Sequence, residues 1–155
     1  MNKDPATYQI GGNHYKDKGI QPIEIISGLN LNFCRGSIVK YIARYQYKGQ
    51  PLLDIKKALH YVNFELERLQ NIKGAGSDGD IGWRRNTKKL LIKEKLKDAW
   101  QISDLDFDIL GLIIREHITS YGASDRVNAI LRLARAQELL EKKILDMESH
   151  AKNND

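Results

Sequence analysis

The sequence predicts an all-α fold, on three observations. Apolar residues recur at spacings of three and four in several long stretches, as they do along one face of a helix. Strand signals are poor, with no convincing run of alternating β-branched residues and no Asn-Gly hairpin turn. Prolines, glycines and capping side chains fall where such helices would start and stop. The expected architecture is two helical hairpins forming a bundle, in an oligomeric protein.

The elements follow in order. Residues 22–27 suit a short helix, with Pro22 at its first position and Gly28 after its end. A second helix is expected from about Asn32 through FCRGSIVKYIARYQ, capped by Asn30 or Asn32, with Gly49 beyond its end. A third begins at Pro51. Its Leu52, Ile55, Leu59, Val62, Leu66, Leu69 and Ile72 form a narrow seam suited to a neighbouring helix, in the same chain or in a second copy. The short connection around Gly49 makes the second and third helices a hairpin.

Composition then divides the chain into residues 1–72, a glycine-rich linker over 73–86, and a second helical region over 87–155. Gly74-Ala75-Gly76-Ser77-Asp78-Gly79 spells GxGxxG, but it follows a long helix rather than a strand, so it is read as linker. A helix is expected from about Thr87, inside the basic stretch Trp83–Trp100. Another should run from about Asp104 to Tyr121, with Ser103 as cap and Gly122 as terminator. The last should run from about Asp125 to Ser149, capped by Ser124, with Val127, Ile130, Leu133, Leu140, Ile144 and Met147 as its apolar positions. Leu105-x-Phe107, Gly111, Tyr121 and Gly122 echo Leu31-x-Phe33, Gly36, Tyr47 and Gly49. The second region therefore reads either as a degenerate repeat of the first or as an unrelated scaffold.

Bulk properties exclude several classes. The chain has 155 residues, 41% hydrophobic and 29% charged, which suits a globular protein. No apolar run approaches the ~20 residues of a membrane span, and MNKDPATYQI lacks a signal-peptide core, so a cytoplasmic protein is expected. Cys34 is the single cysteine and cannot form an intrachain disulfide. A net charge of +5 favours an anionic partner. There is no GxxxxGK[ST] phosphate loop. His14, His60, His117 and His150 are too scattered for a zinc site. Asp104, Asp106 and Asp108 begin like a calcium loop, but Ile109 and Arg115 stand where glycine and glutamate are needed. They are better read as acids in a first helical turn.

The clearest chemical constellation is on the second helix, in Lys40-Tyr41-x-x-Arg44-x-x-x-Lys48. Helical spacing puts Lys40, Arg44 and Lys48 on one face. Three cations in a row repel one another unless an anion lies over them; the alternative is a solvated basic face. Arginine offers phosphate a planar fork, lysine a point charge, and Tyr41 can stack on a base or donate to a phosphate. Near the N-terminus, GGNHYK combines the backbone freedom of Gly11 and Gly12 with His14 and Lys16. It reads as an anion-binding nest or as a leader with an incidental histidine. Asp54 opens the third helix favourably for its dipole, whereas Lys56 and Lys57 at the same end oppose it. His60 and Tyr61 are read as packing residues.

Three blocks together, GGNHY with GIQPIEII, then GSIVKYIARYQYKG, then LLDIKKALHYV, resemble the SaV-like phage family, over about residues 11–69. That family is long labelled as of unknown function and includes the small nucleotide kinase of T7-like phages. The matching positions are His14 and Tyr15; Gly36, Ser37, Lys40, Tyr41 and Arg44; and Asp54, Lys57 and Ala58. Where relatives often carry asparagine this chain has Ser37, which lacks the amide's paired donor and acceptor. The resemblance implies phosphoryl transfer from a nucleoside triphosphate to a deoxynucleoside monophosphate, dTMP or dGMP, without a phosphate loop, in the cytoplasm of an infected cell. It implies catalytic roles for Lys40, Arg44, Asp54 and Lys57. It implies nucleotide contacts from His14, Tyr15, Ser37 and Tyr41, to which the nest residues Gly11, Gly12 and Asn13 and the stripe residue Lys48 would add theirs. No cofactor follows from the residues themselves; Mg2+ carried in with the nucleotide is the one such a reaction would admit. Asp54 would orient a lysine or bind a metal. Arg44→Ala is expected to weaken nucleotide binding at least tenfold and to leave folding intact.

Two other readings compete. The same stripe would serve a protein that captures a host signalling nucleotide without turnover. The basic Trp83–Trp100 segment would instead serve a nucleic-acid binder, or be a solvated linker helix.

Overall fold

A computed structural model describes residues 19–71, 93–114 and 123–153 of the chain. These form six helices and, among the described residues, no strand: α1 Pro22–Gly28, α2 Phe33–Arg44, α3 Pro51–Asn71, α4 Lys93–Trp100, α5 Asp104–Ile114 and α6 Ala123–Asn153. The linker over 73–86, the helix start near Thr87, the Tyr121–Gly122 stop and the GGNHYK segment lie outside the described residues.

Local chemistry sets the helix ends. Pro22 opens α1, and the Glu24 carboxylate accepts the Gln21 backbone N–H at 2.6 Å. Asn30 turns the chain out of α1 with φ +49°, a conformation asparagine tolerates better than most residues. Asn32, not Asn30, caps α2: its Oδ1 accepts the Arg35 N–H at 2.9 Å. Gly36 lets α1 approach closely, since a Cβ there would stand 3.0 Å from Ile26 Cγ2. The α2 helix stops at Arg44, two residues short of the expected end, and Gly49 turns the chain toward α3 with φ +71°. Ser103 and Asp106 form a reciprocal cap on α5, with Ser103 N donating to Asp106 Oδ2 at 3.0 Å and Asp106 N donating to Ser103 Oγ at 3.2 Å. The aspartate cluster is thus a helix start, as expected. The α6 helix begins at Ala123, so Ser124 lies inside it.

The α3 helix is central and packs on both α2 and α6. Its seam residues Ile55, Val62, Leu66 and Leu69 are buried, but so are Asp54, Ala58 and Glu65, because two neighbours cover two faces. Arg44 and Asp54 pair at one end of α2 and α3, and Arg35 and Glu65 at the other, which makes the two helices antiparallel. The α6 helix contributes Ala129, Leu133, Ala136, Leu140 and Ile144 to the same core. Val127, expected on that inner face, is exposed instead. Within the basic stretch, Leu96 and Trp100 are buried, and the Trp100 indole N–H donates to the Ile20 carbonyl at 2.7 Å. No described helix is long and apolar enough to cross a membrane.

Two polar networks fasten this core. The Glu65 carboxylate, fully buried, accepts from Arg35 Nε at 2.7 Å, Arg68 Nε at 2.9 Å and Asn32 Nδ2 at 2.9 Å. Arg35 Nη1 also donates to the Ile113 carbonyl at 2.9 Å, tying α2 to α5. Burial alone would raise the Glu65 pKa, but the bonds from Arg68 and Arg35 outweigh it and hold the carboxyl below its ordinary value. In the second network, Tyr45 Oη donates to Asp106 Oδ2 at 2.8 Å, and Lys143 Nζ lies 2.9 Å from Asp106 Oδ1. This joins the end of α2 to the start of α5 and the last third of α6.

Candidate functional site

Antiparallel packing brings the basic stripe of α2 against the first half of α3. Lys40 Nζ lies 4.8 Å, Arg44 Cζ 4.5 Å and Lys57 Nζ 5.8 Å from the centroid of the Tyr41 ring. Tyr41 stacks on Tyr61 of α3, with centroids 5.8 Å apart and planes 19° apart. Lys48 lies in the exposed connection beyond α2 rather than on the helix, yet remains close enough to act on Lys40. The Lys40 ammonium is held below its ordinary pKa, chiefly by burial, then by Arg44 and Lys48 and, less strongly, by Lys57; Asp54 opposes them.

Asp54, read from the sequence as orienting a lysine or binding a metal, is bonded here to an arginine. Arg44 Nε donates to its Oδ2 and Arg44 Nη2 to its Oδ1, both at 3.0 Å, a two-bond fork between α2 and α3. Among the described residues no group of acidic, histidine or cysteine side chains is arranged to hold a metal ion. The pair fixes the guanidinium beside Tyr41, and Asp54 is the one carboxylate that acts on Lys40 against the cations Arg44, Lys48 and Lys57. Among the described residues, no carboxylate forms an ion pair with Lys40, Lys48 or Lys57.

The other candidates divide. Ser37 is on the same face of α2, one turn before Tyr41, but is buried. Lys56 points away and pairs with Glu148 of α6 at 2.6 Å. Gly11, Gly12, Asn13, His14 and Tyr15 lie outside the described residues. An aromatic group that no sequence motif marks is continuous with the cations. Tyr61 meets Phe33 edge-on at 5.6 Å and Phe64 at 6.3 Å, and His60 meets Phe64 edge-on at 4.7 Å. Phe33 is 75% and Phe64 49% exposed. The available signal was the outward position of both phenylalanines on helices whose inner faces are filled by aliphatic residues.

Apart from Phe64, this surface lies within the part of the chain that is similar to known sequences. Residues 10–63, about a third of the chain, match the model of a protein family described as being of unknown function, DUF3310. No curated protein and no solved structure matches the chain. Every candidate residue from Gly11 to Lys57 falls inside the matched segment, which ends before Glu65.

Proposed function

We propose that the α2–α3 surface binds the phosphates of a nucleotide, and that the protein is a phage-type deoxynucleoside monophosphate kinase without a phosphate loop. The observation that carries this reading is the convergence of Lys40, Arg44 and Lys57 on Tyr41, with one carboxylate among them already bonded to arginine. Such a cluster is relieved of mutual repulsion when an anion sits over it. In the reaction, a phosphate oxygen of the monophosphate attacks the terminal phosphorus of the triphosphate, whose bond to the bridging oxygen breaks and leaves a diphosphate. An ionised acceptor needs no base, so the lysines' part is to neutralise charge on the transferring oxygens, and Arg44, fixed by Asp54, keeps Tyr41 in place. Mg2+ would enter with the triphosphate.

Capture without turnover is favoured by one observation: among the described residues, several cations gather on one ring only at Tyr41, the Lys143–Tyr45 contact being a single buried one, whereas transfer needs two nucleotides in line. The deciding experiment incubates the protein with each deoxynucleoside monophosphate and each triphosphate, with and without Mg2+, and identifies free and bound species by mass spectrometry. New diphosphate is expected. A nucleotide recovered unchanged from denatured protein would establish capture instead, and no bound nucleotide at all would remove both readings.

A further inference from the structure

We infer that the exposed Phe33–Phe64 pair is the platform on which the base of that nucleotide stacks, with the ligand lying along the α2–α3 pair and its phosphates at the Lys40–Lys57 end. This rests on the phosphate reading above and extends it to the other end of the ligand. The antiparallel arrangement creates a directional surface. On α2, Phe33 precedes Lys40 by seven residues; on α3, Phe64 follows Lys57 by seven residues. Both phenylalanines therefore lie at one end and both lysines at the other, separated by about 10 Å of helix. Tyr61 bridges the ends, one ring contact from Phe33, one from Phe64 and one from Tyr41.

Tyr41 is a poor base platform. Its ring already carries Tyr61 and three cationic groups within 6 Å of its centroid. Phe33 and Phe64 are the large aromatic side chains left exposed among the described residues. A molecule flat and aromatic at one end and polyanionic at the other matches this gradient; a purely apolar partner would leave the lysines unanswered. Phenylalanine reads no hydrogen-bond pattern, so the platform favours bases by stacking area, purine over pyrimidine.

The test titrates full-length protein with deoxyguanosine triphosphate and with inorganic triphosphate. The variants are Phe33→Ala/Phe64→Ala and Lys40→Ala, each checked by thermal melting and light scattering. The aromatic variant is expected to lose roughly tenfold in affinity for the nucleotide and to keep inorganic triphosphate within about twofold. Lys40→Ala should weaken both ligands. Unchanged nucleotide affinity in the aromatic variant, with Lys40→Ala still weakened, overturns the base platform and leaves the phosphate reading standing. Equal loss of both ligands in the aromatic variant overturns it as well. Loss of self-association with nucleotide affinity intact would overturn it by making the patch a contact between copies. Wild-type protein that binds neither ligand removes the phosphate reading and this inference together.

Discussion

Arg44→Ala exposes the double duty of the stripe. From sequence, this substitution should leave folding intact. The structure gives the opposite expectation, because Arg44 holds Asp54, whose side chain is 3% exposed against 15% for the arginine. Removing the guanidinium strands a buried carboxylate at the α2–α3 contact. Breaking a buried pair this way costs about 3–5 kcal/mol, and the arginine's partial exposure places the loss near the lower end, about 3 kcal/mol. At about 2–4 °C per kcal/mol for a chain of this size, the melting temperature should fall by roughly 6–12 °C. Thermal unfolding followed by circular dichroism measures it, with Lys48→Ala as an exposed control expected to stay within about 0.5 kcal/mol of wild type. The double variant Arg44→Ala/Asp54→Ala should recover about half of the loss, since no buried charge is then left alone. A single variant that melts with the Lys48→Ala control would refute the clamp. Any loss of nucleotide affinity in Arg44→Ala must therefore be compared at temperatures where the variant is still folded.

Three further outcomes follow from the geometry. Glu65→Gln should cost about 3–5 kcal/mol at neutral pH in urea unfolding, because Arg35 loses its buried counter-charge. Since the folded-state Glu65 pKa is depressed, its contribution is complete above the unfolded value and fades as pH falls through the folded one. The gap between wild type and variant should therefore shrink in acid, and a gap independent of pH would contradict the assignment. Burial and the neighbouring cations lower the Lys40 pKa, so anion affinity should begin to fall on the alkaline side before an ordinary lysine, near 10.5, would titrate. A Lys40→Arg variant should keep its affinity over that range. Gly49→Ala should cost about 1–2 kcal/mol, because φ is +71° there. Gly111→Ala, inside α5 with nothing within 4 Å of the added carbon, should instead gain about 0.5–1 kcal/mol; equal effects of the two substitutions would contradict this account of both glycines.

Local signals were legible and distant ones were not. Asn32, Pro51 and Ser103 act through backbone groups within a few residues, so their types and positions marked the helix starts correctly. The seam of α3 was legible as one apolar face. That α3 buries a second face, with Asp54, Ala58 and Glu65, depends on α2 and α6 being placed on either side, which periodicity does not state. Tyr45, Asp106 and Lys143 meet across separations of 61 and 37 residues, and no local pattern links them. At the candidate site, helical spacing correctly grouped Lys40, Tyr41 and Arg44. It missed that Lys48 falls beyond the helix and that Asp54 claims the fork of Arg44, since both depend on where α2 stops and how it crosses α3.

Phosphate binding at the α2–α3 surface is tested most directly by equilibrium titration of a deoxynucleoside triphosphate into wild-type protein and into Lys40→Ala/Lys57→Ala, both confirmed folded by melting. Neither lysine forms an ion pair with a carboxylate among the described residues, so stability should change by less than about 1 kcal/mol. Saturable binding to the wild type is expected, weakened at least about tenfold in the double variant and weakened further by salt. Equal affinity in the two proteins would contradict it, because phosphates bound elsewhere would not feel the loss of these two charges.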